Sequence, residues 1–274
     1  MATSPFKAED SGLLLVFMQP GPQVSLDEFH EWYDNEHVPL RIHRFTSFRS
    51  AVRYAVTSTT FTPSSAVAPK DTTWGAFYTV SSNATFADTA YTSLRSERSA
   101  REAELFTRLA IVDRRIYKLE YDSDMDERIK VERKRLGLGV QREEDTGRYL
   151  VTNSVDMKDE VQEEYNRWFE EEHVPMLSKV KGWKRSRRFT LIDNGVNGTQ
   201  AEKGMAKGVP KCLGLHEYDN DTPEDTQEYK DACSTQWRSD ILGPNNANLI
   251  RRERKICKIY RAWDPIAAIE ADKS

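Results

Sequence analysis

The strongest constraint on this chain is that it repeats itself. The segment Trp32-Tyr33-Asp34-Asn35-Glu36-His37-Val38-Pro39 returns as Trp168-Phe169-Glu170-Glu171-Glu172-His173-Val174-Pro175, at a constant offset of 136 in a chain of 274 residues. A repeat at half the length is most simply a fused pair of related units. Each is large enough, at roughly 110–130 residues, to bury a core of its own.

The surrounding patterns extend the repeat. A short apolar run opens each half (Leu13–Met18 and Tyr149–Asn153), followed by the motif helix, about Leu26–Leu40 and about Glu160–Leu177. The segments Phe48–Tyr54 and Trp183–Phe189 read as second strands, with their aromatic ends matching at an offset of 135. Long polar stretches, Thr57–Thr73 and Asp193–Lys211, then read as loops of a length that is uncommon unless functional. Third strands Trp74–Val80 and Leu213–Tyr218 follow, then single helices over Thr85–Thr107 and Pro223–Ile241. Last strands are expected at Ile111–Tyr121 and Glu253–Ala262. The order is β-α-β-β-α-β, twice, a split βαβ unit. Such a sheet carries helices on one face, so its other face must be covered, and the second copy can cover it. The expected fold is therefore α+β: two ferredoxin-like halves closing a pseudo-dimeric barrel in one chain. The boundaries are residues 1–121, a charged connector at 122–147 whose tract Arg128–Arg135 reads as a solvated stretch open to helix, and residues 148–274, ending in a frayed tail over Ala267–Ser274.

Composition narrows the function. A formal net charge of −4 and a pI near 5.9 argue against a nucleic-acid partner. No apolar run approaches the roughly 20 residues needed to span a bilayer, and no secretory signal is visible. The three cysteines, Cys212, Cys233 and Cys257, form neither a disulfide framework nor a zinc spacing, so the cytoplasm is expected. Gly137-Leu138-Gly139 lacks a flanking crossover, and Arg142 stands where a phosphate loop needs glycine. No metal-ligand cluster or nucleophile elbow is present, so neither metal nor cofactor is expected.

Candidate chemistry centres on the motif helix. Spacing of i, i+3, i+4 and i+7 aligns Phe29, Trp32, Tyr33, Glu36, His37 and Leu40 on one face, and Tyr165, Trp168, Phe169, Glu172, His173 and Met176 on its counterpart. Pro39 and Pro175, near the C-terminal ends, discourage further helix. His37 and His173 are candidate acid/base groups, with Glu36 and Glu172 as orienting or raised-pKa acids. Trp32, Tyr33, Tyr54, Trp74 and Tyr78 would line the first pocket, and Trp168, Arg188 and His216 the second. Arg49 and Arg53, four apart on one strand, could together hold a carboxylate. Aligning Gly214 with Gly75 pairs His216 with Phe77, while His30, aligned with Asn166, faces solvent and His43 has no histidine counterpart. The plain alternative is that each histidine only fits a helix C-terminus, where the macrodipole favours positive charge. A core imidazole for His216 and an exposed rim for the arginines are the matching plain readings.

A split βαβ unit whose first helix carries W-x-x-x-E-H-x-P resembles the dimeric α+β barrel superfamily, and within it the EthD-like domains, here in tandem. The resemblance covers Leu13–Tyr121 and Tyr149–Trp263. It implies a barrel built of two halves that are usually separate subunits. It also implies activities as different as cofactor-free cyclases, decarboxylases, isomerases and oxygenases, and haem-dependent peroxidases. The small EthD-like proteins associated with decarboxylation of aromatic polyketide acids have a helix histidine that would correspond to His37 and His173. The expected function is thus a cofactor-independent lyase or cyclase acting on a small aromatic or polyketide-like acid. A cofactor-free oxygenase and a non-catalytic small-molecule binder are the alternatives, with haem binding behind them. The partner is a small molecule, and the chain is a monomeric pseudo-dimer or a homodimer of one.

Overall fold

The computed structural model describes residues 4–63, 72–138 and 147–263. Among them, β1 (Gly12–Gln19), β2 (Phe48–Thr62), β3 (Trp74–Val80), β4 (Ile111–Asp122), β5 (Tyr149–Met157), β6 (Trp183–Asn197), β7 (Cys212–Tyr218) and β8 (Leu249–Trp263) close into one barrel. The order around it is β1-β3-β2-β8-β5-β7-β6-β4, antiparallel throughout. Each half contributes a four-strand block, β4-β1-β3-β2 and β8-β5-β7-β6. The seams are β2 against β8 and β4 against β6. This is the expected pseudo-dimeric α+β barrel within one polypeptide.

The apolar run Leu13–Met18 shows why the barrel forms. A strand buried on both faces reads as continuous hydrophobicity. Leu13, Leu15 and Phe17 point into the lumen, while Leu14, Val16 and Met18 face the helical layer. The lumen is packed rather than open, filled by these residues with Val52, Tyr54, Phe77, Tyr117, Phe189 and Leu215 among others. At the β4–β8 level it also buries four charges, Asp113, Arg115, Glu253 and Lys255, each with a fully buried side chain. Because β4 and β8 lie opposite each other around the ring, Arg115 spans the lumen to reach Glu253 at 2.8 Å.

Three expectations are corrected. The loops expected from Thr57 and Asp193 begin as strand: β2 continues to Thr62 and β6 to Asn197, because those polar residues pair with β8 and β4 of the other half. Residues 64–71 of the first loop lie outside the described residues. The single second helices are broken into short pieces, with α-helical turns at Ala100–Arg108 (α2) in the first half and at Gln227–Ala232 (α5) and Gln236–Leu242 (α6) in the second. In the connector, Glu127–Arg135 forms a helix (α3) that is not simply solvated. Ile129 is buried, and the Arg133 guanidinium lies 4.9 Å from the Trp183 ring centroid and donates to the Ser178 carbonyl. Gly139, Arg142 and the tail Ala267–Ser274 lie outside the described residues. Among the described residues no helix is long and apolar enough to cross a membrane.

Candidate functional site

The motif helices are not regular. In the first half (α1), α-helical Leu26–Trp32 leads into a π turn, Tyr33–His37, and helix resumes over Val38–Ile42. The second (α4) matches it with Asp159–Trp168, a π turn Phe169–His173, and Val174–Leu177. The wider turn is closed by Val38 N–H to the Tyr33 carbonyl and Val174 N–H to the Phe169 carbonyl, each five residues apart. Pro39 and Pro175 therefore do not end these helices; they sit in the first turn after the π turn, where a missing donor is tolerated.

The extra residue in that turn rotates the phase of the helix. His37 and Val38 continue the stripe begun by Trp32 and Tyr33, and Glu36 swings outward. Trp32 and His37 ring centroids lie 4.6 Å apart, and Trp168 and His173 stack at 4.4 Å. Glu36 is half-buried and accepts from the Ser99 hydroxyl at 2.5 Å; Glu172 is likewise half-buried. Neither is bonded to its neighbouring histidine among the described residues, so neither glutamate orients that imidazole directly.

The partner of His37 comes from α2 instead. His37 Nδ1 lies 2.6 Å from Glu102 Oε1, and both side chains are buried. Burial, followed by the charge of Arg41, pushes the imidazole down to about 4 against the pull of Glu102. Burial would raise the Glu102 carboxyl, but the His37 hydrogen bond and the nearby arginines hold it below its ordinary range. At neutral pH the imidazole is therefore uncharged, its Nδ1–H donates to an ionised carboxylate, and Nε2 keeps its lone pair. Arg41, whose guanidinium donates to the His37 carbonyl at 2.7 Å, lies within electrostatic reach of Tyr33, Tyr78 and Glu102. Sequence reasoning missed Glu102 and Arg41. A carboxylate on the apolar face of α2, three before Leu105, was the available signal for the first.

The two halves differ at this level. Strand register pairs Ala51 with Tyr78 and Ser186 with His216, and Ala51 and Ser186 are counterparts at the 135 offset. His216 is thus the counterpart of Tyr78. Aligning the glycines was wrong by one position, which in a strand moves a residue to the other face, and Phe77 points into the lumen. In the first half, Trp32 Nε1 is buried without a hydrogen-bond partner among the described residues, and the buried Tyr33 and Tyr78 hydroxyls interact with each other. In the second, Trp168 Nε1 donates to Thr235 Oγ1, Phe169 replaces the first tyrosine, and His216 Nδ1 is 2.8 Å from Ser186 Oγ. His173 Nδ1 donates to the Ala232 carbonyl at 2.9 Å, and burial pushes this imidazole to about 4 as well.

The remaining candidates fall elsewhere. Tyr54 is in the lumen, its hydroxyl donating to the Gly147 carbonyl, because β2 alternates and its neighbours Arg53 and Ala51 are the ones that face the helix. Arg53 is fully buried against Asp34 and its guanidinium lies 4.4 Å from the Tyr33 centroid. Arg188 pairs with Glu170 in the matching place. Both arginines are committed to clamping the motif helix to the sheet, and Arg49 is exposed, so the expected Arg49–Arg53 carboxylate clamp is absent. His30 does not simply face solvent; it stacks on Tyr260 at 4.6 Å and contacts Arg53. Trp74 packs edge-on to His30 rather than on His37. Among the described residues no group of His, Cys, Asp and Glu is placed to hold a metal ion.

One solution prediction follows from the histidines. Both bind a proton in the unfolded chain near 6.5 and in the folded chain only near 4, so the unfolded state holds more protons between these values. Their stabilising contribution is complete above about pH 6.5 and is lost as pH falls toward 4, by as much as about 3 kcal/mol each. Urea denaturation at pH 7.5, 6.0 and 5.0 should show that slope, and His173→Asn should flatten it. A slope unaltered by that substitution would contradict the assignment.

The fold and this helix–sheet site define a single-chain dimeric-type α+β barrel. No protein-family model and no curated protein matches the sequence. Solved structures do share the fold. An anthrone oxidase-like protein superposes with a TM-score of 0.56 at 10% identity, covering 94% of this chain and 94% of that one. A candidate monooxygenase from Fusobacterium nucleatum subsp. nucleatum gives 0.50 at 10% identity, over 94% and 95%. These names side with the oxygenase and against the lyase or cyclase expected from the sequence.

Proposed function

We propose that this protein is a cofactor-independent oxygenase of a small aromatic substrate, worked by the first-half site, in a tandem EthD-like arrangement. The observation that carries it is the buried His37–Glu102 pair, which leaves Nε2 as a preset base, with the Tyr33 ring centroid 4.9 Å from that of the imidazole. Base, carboxylate orienter and cation are what is needed to make and hold a carbanion. His37 Nε2 removes a proton from a methylene flanked by aromatic rings or a carbonyl. Arg41 and the hydroxyls of Tyr33 and Tyr78 stabilise negative charge on the conjugated oxygen. The carbanion gives one electron to dioxygen, and the substrate radical and superoxide combine as a peroxide. The peroxide recovers the proton from His37 and loses water, so that CH2 plus O2 becomes C=O plus H2O. The substrate itself is the reductant, and no cofactor enters the balance. The names of the structural relatives support the oxidase or oxygenase class.

The test is oxygen consumption. With anthrone as probe, the purified chain should use one O2 per product, and ¹⁸O₂ should label the new carbonyl. Turnover without oxygen uptake, or release of carbon dioxide from an aromatic acid instead, would overturn the reading.

A further inference from the structure

The second half contains a cavity that neither the histidines nor the lumen explains. It has a volume of about 90 Å³ and lies between the outer sheet face and helices α4 and α6. That is several times the roughly 10–15 Å³ one water requires, room for one ring or a short chain. Its walls are largely apolar, with Trp168, Tyr165, Val155 and Leu249 among them, and its lining contains no carboxylate. It does contain two arginines, Arg238 from α6 and Arg252 from β8.

Those arginines are unlike others in the molecule. Arg53, Arg115, Arg185, Arg187 and Arg188 each face an aspartate or glutamate. Arg238 and Arg252 have no acidic partner among the described residues. Arg252 Nε donates to Asn153 Oδ1 at 2.6 Å, which orients the guanidinium and leaves its terminal nitrogens uncommitted to any acid. Arg254, two residues on, donates to the Tyr229 hydroxyl and to no acid among the described residues. Burial, then the like charges of Arg238 and Arg254, depress the Arg252 guanidinium below its ordinary range. Cations gathered in a partly desolvated chamber are costly unless an anion answers them. A planar fork beside an apolar wall matches a carboxylate joined to a hydrocarbon body.

We propose that this cavity binds a small carboxylic acid, its carboxylate held by Arg238 and Arg252 and its apolar body resting on Trp168 and Tyr165. The site lies in the second half, away from His37, so it stands or falls separately from the oxygenase reading.

Isothermal titration would compare benzoate and hexanoate with benzamide and hexanamide, and with inorganic phosphate. The acids should bind and raise the melting temperature, while the amides and phosphate bind far more weakly. Arg238→Met and Arg252→Met should each weaken benzoate by about 10- to 100-fold. The ligand-free Arg238→Met variant should melt no lower than the parent, because it removes a like-charge repulsion. Absence of acid binding, amides bound as tightly as acids, preference for phosphate, or unchanged affinity in both variants would overturn the proposal. The acid–amide comparison uses the unaltered protein and decides even if a variant fails to fold.

Discussion

Arg115→Met should destabilise the fold by roughly 3–5 kcal/mol, the scale for breaking a fully buried charge pair from one side. Arg115 donates to Asp113 at 2.6 Å and to Glu253 at 2.8 Å, and none of the three side chains is exposed. Its guanidinium also lies 5.2 Å from the Phe17 ring centroid. The quartet with Lys255 is electrically neutral, so removing one cation leaves a carboxylate without compensation in a dry lumen. Asp113 is the one exposed to that loss, since Lys255 sits 4.0 Å from Glu253. Burial already raises the Asp113 carboxyl. The double variant Arg115→Met/Asp113→Asn should therefore recover much of the loss, because it restores neutrality. Urea midpoints for the single and double variants measure both effects. A single-variant loss below about 1 kcal/mol, or no recovery in the double, would mean that the cross-lumen pair does not hold the two halves together.

His37→Ala should lower oxygen turnover by about 10²–10⁴-fold, the usual contribution of a positioned acid/base. Glu102→Gln should lower it too, since a neutral amide orients the imidazole less firmly and stabilises its protonated form less. His173→Ala should leave turnover largely intact, because its imidazole is bonded to a backbone carbonyl and not to an orienting carboxylate. Glu36→Gln, altered only at the Ser99 contact, serves as a control with parental rate. The pH profile distinguishes catalysis from architecture. A base is lost as pH falls through its own pKa, so activity should persist well below the ordinary histidine value and fail as pH approaches about 4. Equal losses in His37→Ala and His173→Ala, or a profile breaking near 6.5, would refute a first-half base.

Much of this architecture is legible in the chain alone. The repeat dictates two halves, the doubled β-α-β-β-α-β order dictates sheets needing mutual cover, and Leu13–Met18 reads as a strand buried on both faces. His37 and His173 stand out because an ionisable group recurs on an aromatic stripe. Local periodicity carries that information, since burial of a helix or strand face leaves its trace at fixed spacing.

Only tertiary structure decided the rest. The π turn adds one residue between Trp32 and His37, sending Glu36 outward, and no local spacing announces it. Strand register made His216 the counterpart of Tyr78, because a one-residue slip exchanges the two faces of a strand. Glu102 reaches His37 from 65 positions away, and Arg115 reaches Glu253 across 138. Such pairings depend on how whole elements dock, and the free energy that selects them is shared across the molecule. Residue types thus announced which chemistry was possible; barrel closure determined which of those residues meet.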